Sequence, residues 1–118
     1  MKKFIAIYTG TAGARAKSGW DTMDAAKRAQ LEAAGMKAWS DWGERNAQSI
    51  VDGGGPLGKT KRTDANGVSD TTNHLAGYVI VHAQSHEAAA RMFEGHPHFA
   101  IFPGDAVEIM ECLPIPKI

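Results

Sequence analysis

Gly77-Tyr78-Val79-Ile80-Val81-His82-Ala83 reads as a strand, because β-branched and aromatic side chains suit a pleated, packed surface. Successive side chains of a strand alternate between two faces. Tyr78 and Ile80 therefore stand opposite Val79 and Val81, and the run is apolar on both sides apart from His82. A second run behaves the same way: Phe4, Ala6 and Tyr8 share one side, Ile5 and Ile7 the other. Strands apolar front and back belong to a sheet covered on both faces. His82 shares its side with Tyr78 and Ile80, and the reading preferred for it is a core histidine. If that side met a second subunit, His82 would line a pocket instead.

Working outward, Ser85 can cap a helix whose inward face is Ala89, Met92 and Phe93, with Gly95 and Pro97 stopping it. His96 to Asp105 reads as a loop and Ala106 to Leu113 as a closing strand, which Pro114 and Pro116 end. Toward the N-terminus, Val68 to Ala76 reads as an exposed loop and Asp64-Ala65-Asn66-Gly67 as a turn, since Asn-Gly accepts positive φ. Leu57 to Thr63 reads as a polar, basic strand. Asp52-Gly53-Gly54-Gly55-Pro56 cannot be regular helix. Before it, Leu31, Ala34, Ala38 and Trp42 recur at helical spacing, on a helix expected to start at Thr22 with Asp21 as its cap and to bend or break near Gly35 or Gly43. Thr9 to Gly19 reads as a loop.

The order is β, α, β, β, α, β, the split βαβ order of a ferredoxin-like α+β fold with an antiparallel sheet. Two helices cover one face of such a sheet. The apolar second face then calls for a second copy stacked on it, so the expected assembly is a homodimer.

At 118 residues, with 43% apolar and 22% charged residues, the chain has the composition of one compact domain spanning residues 1–118. Thirteen basic residues balance thirteen acidic ones, so no net field gathers nucleic acid or anionic lipid, and neither is an expected partner. A lone cysteine, Cys112, excludes an internal disulfide and a thiolate zinc site. The apolar run after Lys2 and Lys3 stops at Tyr8, short of a signal-peptide core or a membrane span. A cytoplasmic protein is expected. Gly53-Gly54-Gly55 lacks the spaced glycines and following helix of a phosphate cradle, and neither a nucleotide nor any other cofactor is expected.

From Gly77 to Pro114 the chain resembles the C-terminal half of YCII-related proteins. The residues that carry this are the strand Gly-Tyr-Val-Ile-Val, the helix start Ser85-His86-Glu87-Ala88-Ala89, the run His96-Pro97-His98-Phe99 and the strand Val107-Glu108-Ile109-Met110. Asp52-Gly53-Gly54-Gly55-Pro56-Leu57 with Lys59-Thr60-Lys61 is similar to the DGPF-type segment of that family. The resemblance implies a dimeric α+β barrel, and relatives of that architecture act on small oxidised aromatic compounds. It also implies a His–Asp pair, of which only Asp52 has a counterpart here, since Thr22 to Ser49 contains no histidine.

Asp52 is a candidate general base at a cleft mouth; the alternative is a turn carboxylate that bonds the following amides. His98 is the second catalytic candidate, with a ring bonded to a backbone carbonyl as its alternative. His96 is a candidate ligand contact, and a metal shared with His98 is not expected, because no carboxylate or cysteine lies at ligand spacing. Trp39, three residues from Trp42, is a candidate wall for a planar ligand, or packing. Lys59 is a candidate contact for an acidic ligand. The function these suggest is binding of a small acidic or aromatic molecule in a cleft, with proton-transfer chemistry of isomerase or lyase type. The alternative is a non-catalytic regulatory or protein-interaction module.

Overall fold

The computed structural model describes residues 1–117. Its main sheet is built on the two strands read above: β1 (Lys2–Thr9) pairs antiparallel with β5 (Leu75–Ala83), Phe4 opposite Val81 and Ala6 opposite Val79. The edges are β2 (Ile50–Pro56) beside β5 and β6 (Ala106–Glu111) beside β1, both antiparallel. The order β2-β5-β1-β6 is that of a ferredoxin-like sheet. Between β2 and β5, β3 (Thr60–Asp64) and β4 (Gly67–Thr71) form a separate two-stranded hairpin.

The helices are α1 (Ala12–Ser18), α2 (Ala25–Arg45), α3 (His86–Arg91) and α4 (Pro97–Ala100). Alternation puts Phe4, Ala6, Tyr8, Val79, Val81 and Ala83 on one face, buried with Trp42 of α2, Ala89 of α3 and Phe93. Trp42 Nε1 donates to the Met92 carbonyl at 2.8 Å, so this large ring is buried without an orphaned N–H. Ile5, Ile7, Tyr78, Ile80 and His82 alternate onto the opposite face and are half-buried there. His82 is therefore not the core histidine preferred from sequence, because the helices lie on the other side.

Several boundaries differ from the sequence reading. Helix α2 starts after Asp24, whose carboxylate accepts from Lys27 N; Asp21 is instead held by Arg15 in a bidentate pair. The helix runs unbroken through Gly35 and Gly43. At Gly35 a Cβ would collide with the Phe102 ring, so the close approach of α2 to the segment after α4 requires glycine there and offsets its poor helix propensity. The expected loops Thr9–Gly19 and His96–Asp105 contain α1, capped by Thr11, and α4, capped by His96 with Pro97 in the first turn. The glycine run is an edge strand with register slips on either side of Asp52, and Gly54 takes φ 61 against the Tyr78 carbonyl. The segment 68–76, read as loop, supplies β4 and the start of β5. Asn66-Gly67 does turn the hairpin, with Gly67 at φ 109.

The hairpin side chains are almost all exposed. It extends the molecule to 57 × 42 × 19 Å with a radius of gyration of 16.4 Å, against roughly 13–14 Å for a compact chain of this length. Among the described residues, no helix is long and apolar enough to cross a membrane.

Candidate functional site at His98

β1 ends at Thr9, and the Thr9 carbonyl accepts from His98 Nε2 at 2.7 Å and from Asp105 N at 3.0 Å. His98 is fixed from three further directions. Its backbone N–H donates to His96 Nδ1 at 3.0 Å, its carbonyl accepts from Gly104 N at 3.0 Å, and the missing Cβ of Gly104 leaves the space its ring fills. Asp105 ties the neighbouring loop down by accepting from Thr11 N at 2.6 Å and Thr11 Oγ1 at 3.2 Å.

A carbonyl can only accept, so Nε2 of His98 carries the proton and the neutral ring presents Nδ1 as an acceptor. Nδ1 has no hydrogen-bond partner among the described residues and is not sealed from solvent. The His98 ring forms part of the wall of a cleft of about 360 Å³, whose other sides are Tyr8, Met36, Trp39, Tyr78 and the bulged strand at Gly53 and Gly55; it also borders a second cleft of about 440 Å³, with Arg15 and Phe102. The first cleft wraps around an edge of the sheet, since Tyr8 comes from the helix-covered face and Tyr78 from the open one.

The rings around His98 are closely grouped. Tyr8 lies 5.2 Å from it and 5.0 Å from Trp39, centroid to centroid. The Tyr8 side chain is nearly buried, yet its hydroxyl bonds no described residue, and burial raises its pKa above the ordinary phenol value. It remains a donor across the physiological range. His96 sits deeper, 1% exposed, between Trp39 at 4.6 Å and Trp42 at 4.9 Å. Burial, and then the charge of His98, lower its pKa to about 4. Neutral His96 thus keeps Nδ1 free to accept the His98 amide, while its Nε2 is buried without a partner. Its edge-to-face contact with the two indoles is the kind that lets such an N–H rest on a π face.

Of the five residues proposed from sequence, the structure brings His98 and Trp39 together on the cleft. His96 is sealed behind Trp39 and Tyr8, where it touches His98 and not open space. Asp52 lies on the open side: its Oδ1 accepts from Gly54 N at 2.8 Å and its Oδ2 from Tyr78 Oη at 3.3 Å, so it meets the cleft through Tyr78. Lys59 lines a different cleft of about 670 Å³ between the hairpin and the body, which shares only Ala76 with the first. The residue that sequence reading missed is Tyr8. Its pattern marked it as core, and only its position beside the Thr9-Gly10 strand end hinted at more.

No protein-family model matches the chain, and no curated protein is similar to it at a significant level. Among solved structures, the fold is similar to that of 5-chloro-2-hydroxyhydroquinone dehydrochlorinase (TftG) from Burkholderia phenoliruptrix AC1100, in complex with 2,5-dihydroxybenzoquinone. The two share 17% identity over 92% of this chain and 90% of that one, with a TM-score of 0.53. A likeness at that identity is one of fold.

Proposed function

We propose that this chain binds a small planar organic molecule, aromatic or acidic, between Trp39 and His98, and moves protons on it in an isomerase- or lyase-type reaction. The observation that carries the reading is the His98 ring: pinned through Nε2 to the Thr9 carbonyl, it lines an aromatic-walled cleft and leaves Nδ1 without a hydrogen-bond partner among the described residues. A fixed neutral imidazole within reach of a bound carbon acid can take its proton as a general base. Asp52 steadies Tyr78 at the cleft edge. The similarity in fold to a dehydrochlorinase supports the same class of chemistry by analogy.

On this reading the chain is a single YCII-related domain that works in the cytoplasm as a homodimer. Ile5, Ile7, Ile80 and Met110 supply the apolar patch on the open face, and the 42% exposure of Met110 in one chain supports a covering partner. Through Tyr78, the cleft borders that same face.

The test is a set of small aromatic acids and 2,5-dihydroxybenzoquinone at millimolar concentration, followed by thermal unfolding. Saturable stabilisation is expected for the unaltered protein and its loss for Trp39→Ala. His98→Gln, which can still donate to Thr9, is expected to bind but not to exchange ligand C–H protons with deuterated water. No stabilisation by any member of the set would count heavily against the cleft.

One observation favours a second reading, a non-catalytic module: the β3–β4 hairpin stands clear of the body with polar side chains on both faces. Ligand binding that ignored Trp39→Ala would shift the weight to that reading.

A further inference from the structure

The chain has two tyrosines, Tyr8 and Tyr78. They differ in one respect that bears on chemistry. The Tyr78 hydroxyl is committed to Asp52. The Tyr8 hydroxyl, on a side chain only 5% exposed, bonds no described residue. The Tyr8 oxygen is not among the enclosed unpartnered atoms, so on this nearly buried side chain it is the hydroxyl that keeps an accessible edge. Among the described residues, two side-chain nitrogens, His82 Nδ1 and His96 Nε2, are enclosed without a partner. Tyr8 is different, because its side chain lines the His98 cleft, so its hydroxyl can be satisfied by whatever occupies that space.

We infer that the Tyr8 hydroxyl donates to an oxygen of the bound molecule, which makes the ligand a carbonyl compound or its enolate and Tyr8 a catalytic residue. This rests on the cleft reading above and adds the ligand's functional group to it. Two residues of opposite character line one cleft, Tyr8 with a donor hydroxyl and His98 with an unpartnered acceptor Nδ1, their rings 5.2 Å apart. Burial keeps the phenol protonated, as a donor must be. Its ring is held by Trp39, Phe93, His96 and His98, so the hydroxyl is positioned before any ligand arrives.

The step is balanced within the site. His98 Nδ1 takes a proton from the carbon beside the ligand carbonyl; the C–H pair becomes the C=C bond of an enolate and the carbonyl π pair moves onto oxygen. Tyr8 donates to that oxygen as its charge develops. Where a C=C bond adjoins that carbon the intermediate is a dienolate: the proton on Nδ1 returns to its far (γ) carbon, the double bonds shift so that the carbonyl re-forms, and the conjugated isomer leaves with His98 neutral again.

Binding of 4-cyanophenol, at a pH where it is the phenolate, is to be compared with binding of benzonitrile, which lacks the oxygen. The unaltered protein should prefer the phenolate. Tyr8→Phe keeps the ring and removes only the donor, so it should weaken phenolate binding by roughly ten- to a hundredfold and leave benzonitrile unchanged. If both probes bind and Tyr8→Phe treats them as the unaltered protein does, the inference is overturned while the cleft stands. If neither binds the unaltered protein, the cleft reading fails and this inference with it. Should Tyr8→Phe not fold, 3-fluorotyrosine at position 8 is the second variant. Its more acidic hydroxyl should tighten phenolate binding, and unchanged affinity would overturn the proposal.

Discussion

The two faces of the main sheet are made of similar residues and meet different fates. On one, Phe4 and Val81 are fully buried under the helices; on the other, Ile5, Ile80 and Met110 stay partly open. Hydrophobicity did not separate them, since isoleucine and methionine are as apolar as phenylalanine and valine. The pleat did, by sending alternate residues of the same strand to opposite sides. The cleft sits where the two faces meet, at the bulged edge strand, and takes Tyr8 from one and Tyr78 from the other.

The largest effect should come from the covered face. Phe4→Ala removes a fully buried ring and should cost about 3–5 kcal/mol in denaturant unfolding, independent of protein concentration. A loss below about 1 kcal/mol would show that the helices do not pack there as described.

A smaller effect should appear with acid. His96 titrates near 4 when folded and near 6.5 when unfolded. In that window the unfolded chain binds more protons, so stability is complete above pH 6.5 and is lost as the pH falls toward 4. The slope should approach 1.4 kcal/mol per pH unit at most, about one proton's worth. His96→Phe should flatten that part of the profile; an unchanged slope would put its origin in another group.

The smallest effect on the fold should come from the open face. Ile80→Lys should change the stability of an isolated subunit by only about 0.5–1 kcal/mol, while converting a sedimenting dimer into a monomer. A variant that stayed dimeric, or an unaltered protein already monomeric at micromolar concentration, would remove the reason for treating the two faces as both meant for burial.

Much of the covered face was legible because its signals are local. The strands Phe4–Tyr8 and Gly77–Ala83, the Ser85 cap and the Asn66-Gly67 turn depend on neighbours in the chain, and each falls where its residues indicate. The misreadings have separate causes, each a contact or a position in the fold that propensity does not register. Asp21 reads as the cap, but Arg15 takes Asp21 and the helix starts after Asp24 instead. A bend or break is expected near Gly35 or Gly43, but the helix runs through both, and at Gly35 the missing Cβ leaves room for the Phe102 ring. Three glycines and a proline argued against regular structure, yet an edge strand tolerates all of them, since one side of its backbone needs no partner.

What the residues alone determined is the sidedness of the strands and the Asn66-Gly67 turn, because alternation and turn chemistry act within a few residues; the second strand of the main sheet, read at Leu57–Thr63, is instead the glycine run Ile50–Pro56. Only the tertiary structure decided which side the helices cover, and that a histidine near residue 98 would meet the end of a strand 89 positions earlier. The physical reason is that a site of this kind is made of hydrogen bonds and ring contacts between segments far apart in the chain. Local sequence preferences carry no record of which of those distant partners will meet.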